Sequence, residues 1–487
     1  MTTHDITEDT RWLDATAQAD LVRSGQVSAG ELLEAAIGRI EALNPAVNAV
    51  VLEWFDHARS VAAELPPAGP LHGVPFLLKD FMAAYAGQHA SNGNLRLKEL
   101  AVPSPLDSTL VSRFRAAGLV TAGRTSTPEF AGQPTTETRA WGATRNPWNL
   151  DHSTGGSSGG AAAAVAAGMV PVAHASDGSG SIRIPAACCG VVGLKPSRGR
   201  ISAGPFGDEA GPAVELCVSR SVRDTAAVLD AVHGPGVGDL VVAPTPRRPY
   251  VEELAADPAP LRIGVLDRAP GGSPVHPDCA AAVHAAAALL EGLGHRVGAA
   301  HPSALVEVDT GDTSRIGLVA TSPMTNSFRH LAETLGRELV EGDLEPVTWA
   351  RYQRAQRVSA VEYAEAQAAA VRYRRSIQQW WHDGHDLLLT PTTAEPAAPI
   401  GSFGDDLAAV EALTARYTAF TRPFNITGQP AISLPLFWTG AGLPVGVQLV
   451  AAHGREDLLI AVAAQLERAR PWAHRRPPLP FPAPATS

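Results

Sequence analysis

Residues 153–195 read STGGSSGGAAAAVAAGMVPVAHASDGSGSIRIPAACCGVVGLK. Two Gly/Ser clusters, Gly155–Gly160 and Gly178–Ser181, punctuate short apolar segments. Ala161–Ala167 is a strong helix former, because alanine loses no side-chain entropy in a helix. Val170–Ala175 and Gly190–Leu194 read as core strands. Alternation of helix and strand on this scale implies an α/β architecture with a substantially parallel sheet.

The flanking chain continues the pattern. Ala15–Ser24 is expected to be helical and to stop at Gly25. Ser28 with Glu31 makes a capping-box pattern that opens a second helix. Leu33, Ile37, Ile40 and Leu43 give it one apolar face, and Asn44–Pro45 is expected to end it. Ala49–Leu52 reads as a strand, Trp54–Glu64 as a helix, and His72–Lys79 (HGVPFLLK) as a buried strand ending in lysine. Ser108–Ala117 is a helix and Leu119–Thr121 a strand, whereas 135–152 is rich in turn residues. Downstream, Ser221–Val232, Cys279–Leu293 and Arg455–Arg468 are expected helices, and 313–383 is largely helical. Leu261–Leu266, Asp386–Thr390, Ala431–Leu436 and Val445–Val450 are expected strands. The Pro/Gly-rich segment 235–260 reads as a long surface connection. No internal repeat is present.

Composition narrows the function classes. The 487 residues are 45% hydrophobic and 18% charged, a globular balance. The net charge of −10 and pI near 5.9 offer no basic stripe for nucleic acid. Cys188, Cys189, Cys217 and Cys279 form neither a metal-ligand spacing nor a disulfide framework, so buried free thiols are expected. MTTHDITEDTRW lacks the regions of a signal peptide. The longest low-polarity run, Gly159–Ala173, is too weakly apolar to span a membrane. A reduced, cytoplasmic protein without metal or cofactor is expected.

The clusters themselves suggest chemistry. GGSSGG satisfies G-x-S-x-G in two registers, as a nucleophile elbow does, but NPWNLDHST before it is a poor strand and no later acid and histidine stand out. A phosphate loop lacks its Lys-Ser/Thr pair. A plain flexible loop remains, although this one leads directly into a helix. In Ser176–Arg183, glycines beside serine allow successive N–H groups to point inward as an anion nest suited to a tetrahedral oxyanion. The competing reading is a tight turn carrying an Asp–Arg surface pair. Lys79 either snorkels to the surface or sits desolvated, losing its proton readily enough to serve as a general base.

Taken together, GGSSGG, then DGSGSIRIPA, then CGVVGLKPS resemble the long signature of the amidase signature family, here from Gly155 to Ser197. GVPFLLKD around Lys79, GRTSTPEF at Gly123–Phe130, WGATRNPWN at Trp141–Asn149 and PFNITGQPAISLP at Pro423–Pro435 extend the resemblance over nearly the whole chain. It implies one large α/β domain over residues 1–487, with a mixed, mostly parallel twisted sheet covered by helices on both faces. N-terminal helices would occupy 1–65, a signature core 66–234, and a C-terminal core 261–470 with a helical pocket cover around 313–383.

By position, the resemblance implies Ser181 as nucleophile, Ser157 as bridging serine at an unusual cis peptide, and Lys79 as base. Gly178, Ser179, Gly180 and Ser181 would supply the oxyanion hole. Asp177 and Arg183 would hold the loop by pairing. The family's usual T-D-T-G-G-S reads S-D-G-S-G-S here, so Ser179 stands where glycine is common. Within the family the chain most resembles the nylon-oligomer branch, the 6-aminohexanoate cyclic-dimer hydrolases. Gly132, Thr321, Ser322 and Phe328 are candidates to line the pocket, with simple packing as the alternative for each. The expected partners are a small or oligomeric amide substrate and a second copy of the chain in a homodimer; neither nucleic acid nor membrane is expected. Aryl or aliphatic acylamides and carbamates are the neighbouring substrate classes. A glutamine-dependent amidotransferase subunit and a non-catalytic binding protein are the competing functions.

Overall fold

The computed structural model describes residues 3–207, 211–306, 316–319 and 323–479. Eleven strands join in one sheet. In chain order they are β1 (Val50–Glu53), β2 (Pro75–Lys79), β3 (Val120–Thr125), β4 (Val172–Asp177), β5 (Val192–Lys195), β6 (Val214–Ser219), β7 (Arg262–Val265), β8 (Arg296–Ala299), β9 (Leu387–Pro391), β10 (Ala431–Trp438) and β11 (Pro444–Ala451). Across the sheet the order is β1-β3-β2-β4-β6-β5-β10-β11-β9-β7-β8.

The α/β class and the mixed sheet flanked by helices agree with expectation, but the parallel majority does not. Only β2–β3, β2–β4, β7–β8 and β7–β9 pair in parallel. The other six neighbouring pairs are antiparallel. Two local features explain the balance. β6, which has no counterpart among the expected strands, lies between β4 and β5 and opposes both. β10 and β11 close a hairpin, with Thr439 N–H donating to Leu443 O at 2.8 Å.

The helix Ala29–Val47 starts on the expected capping box: Glu31 N–H donates to Ser28 Oγ, and Ser28 N–H to Glu31 Oε2. Leu33, Ile37, Ile40 and Leu43 are buried as its core face. Pro45 does not end it; the helix runs on to Val47 and closes at Asn48, which is left-handed (φ 53°). The Asn44 side chain supports this close. Its Oδ1 accepts the N–H groups of Ala49 and Val50, both at 2.8 Å.

The helix Gly159–Ala166 is buried on every side and packs on β2, β3, β4 and β6. That closeness needs small residues. A Cβ on Gly160 would stand 2.4 Å from Ser126 N. A second helix, Arg183–Cys189, was not among the expected elements. Pro185 disguises it, yet in a first turn proline's missing N–H has no partner to lose. The four cysteines are free and buried. Asn149–Ser153 is a strand after all, paired with Arg145–Asn146 in a two-stranded ribbon outside the main sheet. Within 313–383 the described parts include the helices Pro323–Leu335, Pro346–Ala355 and Ala360–His382. Thr321 and Ser322 lie outside the described residues. Among the described residues, no helix is long and apolar enough to cross a membrane.

Candidate active site

Lys79 is the last residue of β2, and all five residues of that strand are buried. Its side chain does not snorkel outward; it is 0% exposed. The Nζ atom is 2.8 Å from Ser157 Oγ and 2.9 Å from Ser176 Oγ. Burial pushes the ammonium pKa down from near 10.5 to about 7, outweighing the charges of Asp177 and Glu215, which pull the other way. Beneath it, Lys79 N–H donates to His174 Nδ1 at 3.2 Å. The His174 Nε2 faces Glu215 Oε1 at 3.1 Å, and burial lowers the imidazole pKa.

GGSSGG forms the turn between the ribbon strand and the buried helix. The Gly156–Ser157 peptide is cis. A Cβ on Gly156 would stand 2.3 Å from Thr135 O, so the turn is pressed against the 135–136 backbone. Thr136 Oγ1 holds both ends, donating to Gly155 O at 2.9 Å and accepting Gly159 N–H at 3.2 Å. The two serines part company. Ser157 faces Lys79, whereas Ser158 Oγ donates to Ser176 O at 3.1 Å and stitches the first cluster to the second.

In the second cluster, Asp177 ends β4 and organises the turn around itself. Its carboxylate accepts the N–H groups of Gly180 (2.6 Å) and Ile182 (3.1 Å). Arg183 grips it with Nε at 2.9 Å and Nη2 at 3.0 Å. Both side chains are fully buried, so this is no surface pair. Burial opposes the charge on Asp177, but Arg183, Lys195 and Asn425 outweigh it and hold the carboxyl at about 2. Arg183 reaches further, to Gln448 Oε1 (2.7 Å) and Asn425 Oδ1 (2.6 Å).

This arrangement alters the expected oxyanion hole. Gly180 N–H is committed to Asp177. The N–H groups of Gly178, Ser179 and Ser181 show no hydrogen-bond partner among the described residues. Ser179 causes no backbone distortion, because the positive φ of the loop falls on Gly180 (130°). A Cβ at Gly180 would meet Thr421 Oγ1 at 2.3 Å.

Ser157, Ser176, Gly178, Ser179 and Ser181 open on one cavity of about 360 Å³. That is the scale of a small-molecule site. Ser181 and Ser157 share its wall without a hydrogen bond between them. Gly132 lines the cavity, where it leaves room for Arg351; a Cβ there would be 3.1 Å from Nη1. Phe328 does not line it. Only 3% exposed, it packs edge-on to Phe130 and Tyr352, one layer behind the wall. Sequence reasoning missed Ser176, Thr421, Arg351, Glu411 and Arg422. The last three lie on chain that carries no signature, so only the fold brings them here.

Comparisons with known proteins agree over nearly the whole chain. A family model described as Amidase matches residues 31–460. A 6-aminohexanoate-cyclic-dimer hydrolase of Paenarthrobacter ureafaciens is 47% identical over 484 residues, covering 96% of this chain and 97% of that protein. The putative amidase AmiB2 of Mycobacterium tuberculosis is 38% identical, covering 96% and 98%. A solved structure of 6-aminohexanoate cyclic dimer hydrolase superposes with a TM-score of 0.91 at 46% identity, covering 96% and 99%. A bacterial aryl acylamidase of the same fold gives 0.85 at 29% identity, covering 95% and 97%.

Proposed function

The chain belongs to the amidase signature family, hydrolases of amide C–N bonds, and from that premise we propose that it cleaves 6-aminohexanoate oligomers or related polyamides through an acyl-enzyme on Ser181. The observation that carries the reading is the buried Lys79 amine, 2.8 Å from Ser157 Oγ, with its pKa lowered to about 7. A base near neutrality is what an alcohol nucleophile needs.

In this mechanism Ser181 Oγ attacks the amide carbonyl carbon. Its proton passes to Ser157 Oγ, and the Ser157 proton passes to Lys79 Nζ. The Ser157–Ser181 hydrogen bond forms on the way to the transition state. The oxyanion meets the N–H groups of Gly178, Ser179 and Ser181. The relay then runs in reverse, the C–N bond breaks, and the leaving amine takes the proton. Water attacks the ester by the same route, giving the carboxylic acid and restoring Ser181–OH. No step uses a cofactor.

The nylon-type substrate is supported by the 47% identity to the Paenarthrobacter hydrolase. The 29% identical aryl acylamidase supports an anilide as the second substrate class. A panel of cyclic dimer, linear oligomers, polyamide film, an anilide and a carbamate separates these readings. No turnover of any nylon-type member removes that substrate class. Hydrolysis that persists undiminished in Ser181→Ala removes Ser181 as the nucleophile.

A further inference from the structure

Three charged side chains stand on the cavity wall among the described residues: Arg351, Arg422 and Glu411. Glu411 is already engaged at the rim, where Arg354 Nη2 donates to its Oε1 at 2.5 Å. Arg351 is aimed by a single contact, Nη1 to Gly132 O at 2.5 Å. Among the described residues the Arg422 side chain makes no hydrogen bond or ion pair, and its Nε is buried without a hydrogen-bond partner. Burial lowers the Arg351 pKa; Glu411 pulls it up, and Arg354 and Arg422 push it further down, so the guanidiniums repel one another and share Glu411 as counter-charge. Two like charges face one half-buried space, and Glu411, the one carboxylate on its wall among the described residues, is shared between them and hydrogen-bonded to a third arginine, which leaves the site short of an anion.

Its position relates it to the chemistry. Thr421 Oγ1 donates to Ser179 O at 2.7 Å, which ties the backbone beside Arg422 to the loop that carries Ser181. Phe81, Met82, Phe130, Ile184 and Met324 line the same cavity and suit a polymethylene chain. A planar guanidinium pairs with a carboxylate through two parallel hydrogen bonds, which fixes orientation as well as adding affinity.

We propose that Arg422, assisted by Arg351, holds the terminal carboxylate of a linear aliphatic amide acid, so that open-chain amide acids are preferred over uncharged cyclic amides. The inference rests on Ser181 working in this cavity. An uncharged amide leaves the two guanidiniums with only the shared Glu411 charge against them, and a site built to pair a group rejects the analogue lacking it.

The test compares three substrates: the linear dimer of 6-aminohexanoate, its C-terminal carboxamide, and the cyclic dimer. The expected result is a kcat/KM about 10–100-fold higher for the acid than for the carboxamide, carried mainly by KM. In Arg422→Gln that ratio falls toward one, and Arg422→Lys keeps part of it. Equal use of acid and carboxamide by the wild type overturns the proposal. So does a ratio untouched by Arg422→Gln, or a cyclic dimer used faster than the acid. If none of the three is hydrolysed, the substrate reading above fails instead. Titration calorimetry of the acid and the carboxamide against wild-type protein then decides the inference alone: acid-selective binding upholds it, and equal or absent binding overturns it.

Discussion

Ser176 Oγ stands 2.9 Å from Lys79 Nζ, nearly as close as the Ser157 hydroxyl at 2.8 Å. A neutral amine has one lone pair and two N–H groups. If the lone pair faces the Ser157 proton, both N–H groups remain, and Ser176 accepts one of them. In the proposed mechanism Ser176 therefore orients Lys79 Nζ, the proton acceptor, by accepting a hydrogen bond from it.

Ser176→Ala is expected to lower kcat by about 10–100-fold, the scale of a misaligned proton acceptor. It also moves the acidic limb of the pH–rate profile. A hydroxyl acceptor favours the ammonium over the amine, so its loss lowers the Lys79 pKa and shifts the limb to lower pH. A purely structural role would change kcat and leave the limb in place.

Wild-type activity should rise with pH through about 7, as Lys79 loses its proton. Lys79→Met should abolish turnover. Stability carries the same signature. Between about 7 and 10.5 the unfolded chain holds a proton on Lys79 that the folded chain has lost. The unfolded state binds more protons there, so folding stability rises with pH across that window. Urea titrations of wild type and Lys79→Met should show the difference shifting in favour of wild type as pH rises from 7 to 10. A difference constant in pH would mean that the lysine is not held neutral.

The glycines of the loop that carries Ser181 should separate sharply. Gly180→Ala forces a Cβ to 2.3 Å from Thr421 Oγ1 at φ 130°, and Ile184 Cδ1 lies 2.7 Å away. Activity should fall by roughly 100-fold or more, because a shift of about 1 Å in this loop misplaces Ser181. Gly178→Ala meets only Ala213 Cβ at 3.8 Å, an ordinary contact. It should keep activity within several-fold. The two kcat values, measured side by side, check the assignment of Gly180 as the residue that sets the shape of the turn.

The parts of this molecule that were legible in the sequence are those written in contiguous residues. The Ser28–Glu31 capping box, the lysine ending HGVPFLLK, and the two Gly/Ser clusters each carry their geometry locally. What stayed hidden depends on partners far along the chain. Whether Asp177 and Arg183 formed a surface turn or a buried pair was undecidable without Asn425 and Gln448, more than 240 residues away. The antiparallel majority follows from β6 entering between β4 and β5, and no local pattern states strand order. Phe328 was a candidate for the cavity and Phe130 was not, and only packing shows that Phe130 faces it while Phe328 lies behind. Arg422 sits next to PFNITGQP but is not part of it, so nothing in its neighbourhood marked a guanidinium without a side-chain hydrogen bond among the described residues.

The Asp177–Arg183 pair joins the loop that carries Ser181 to the second half of the sheet, through Arg183 Nη1 and Gln448 Oε1. Asn425 Nδ2 also donates to Asp177, at 2.8 Å to the carbonyl and 2.9 Å to the carboxylate. Asp177→Asn leaves Arg183 buried without its counter-charge, and such a break costs about 3–5 kcal/mol. The pH dependence has a definite sign. The folded carboxyl sits at about 2, below its ordinary value of 3.8, so the stabilisation is complete above about 4 and is lost as pH falls toward 2. Denaturation of wild type and variant at pH 7, 4 and 2.5 should therefore show a wide gap at the first two and a narrower one at the third. A gap that stays constant down to pH 2.5 would mean that the pair contributes by packing and hydrogen-bond geometry rather than by charge.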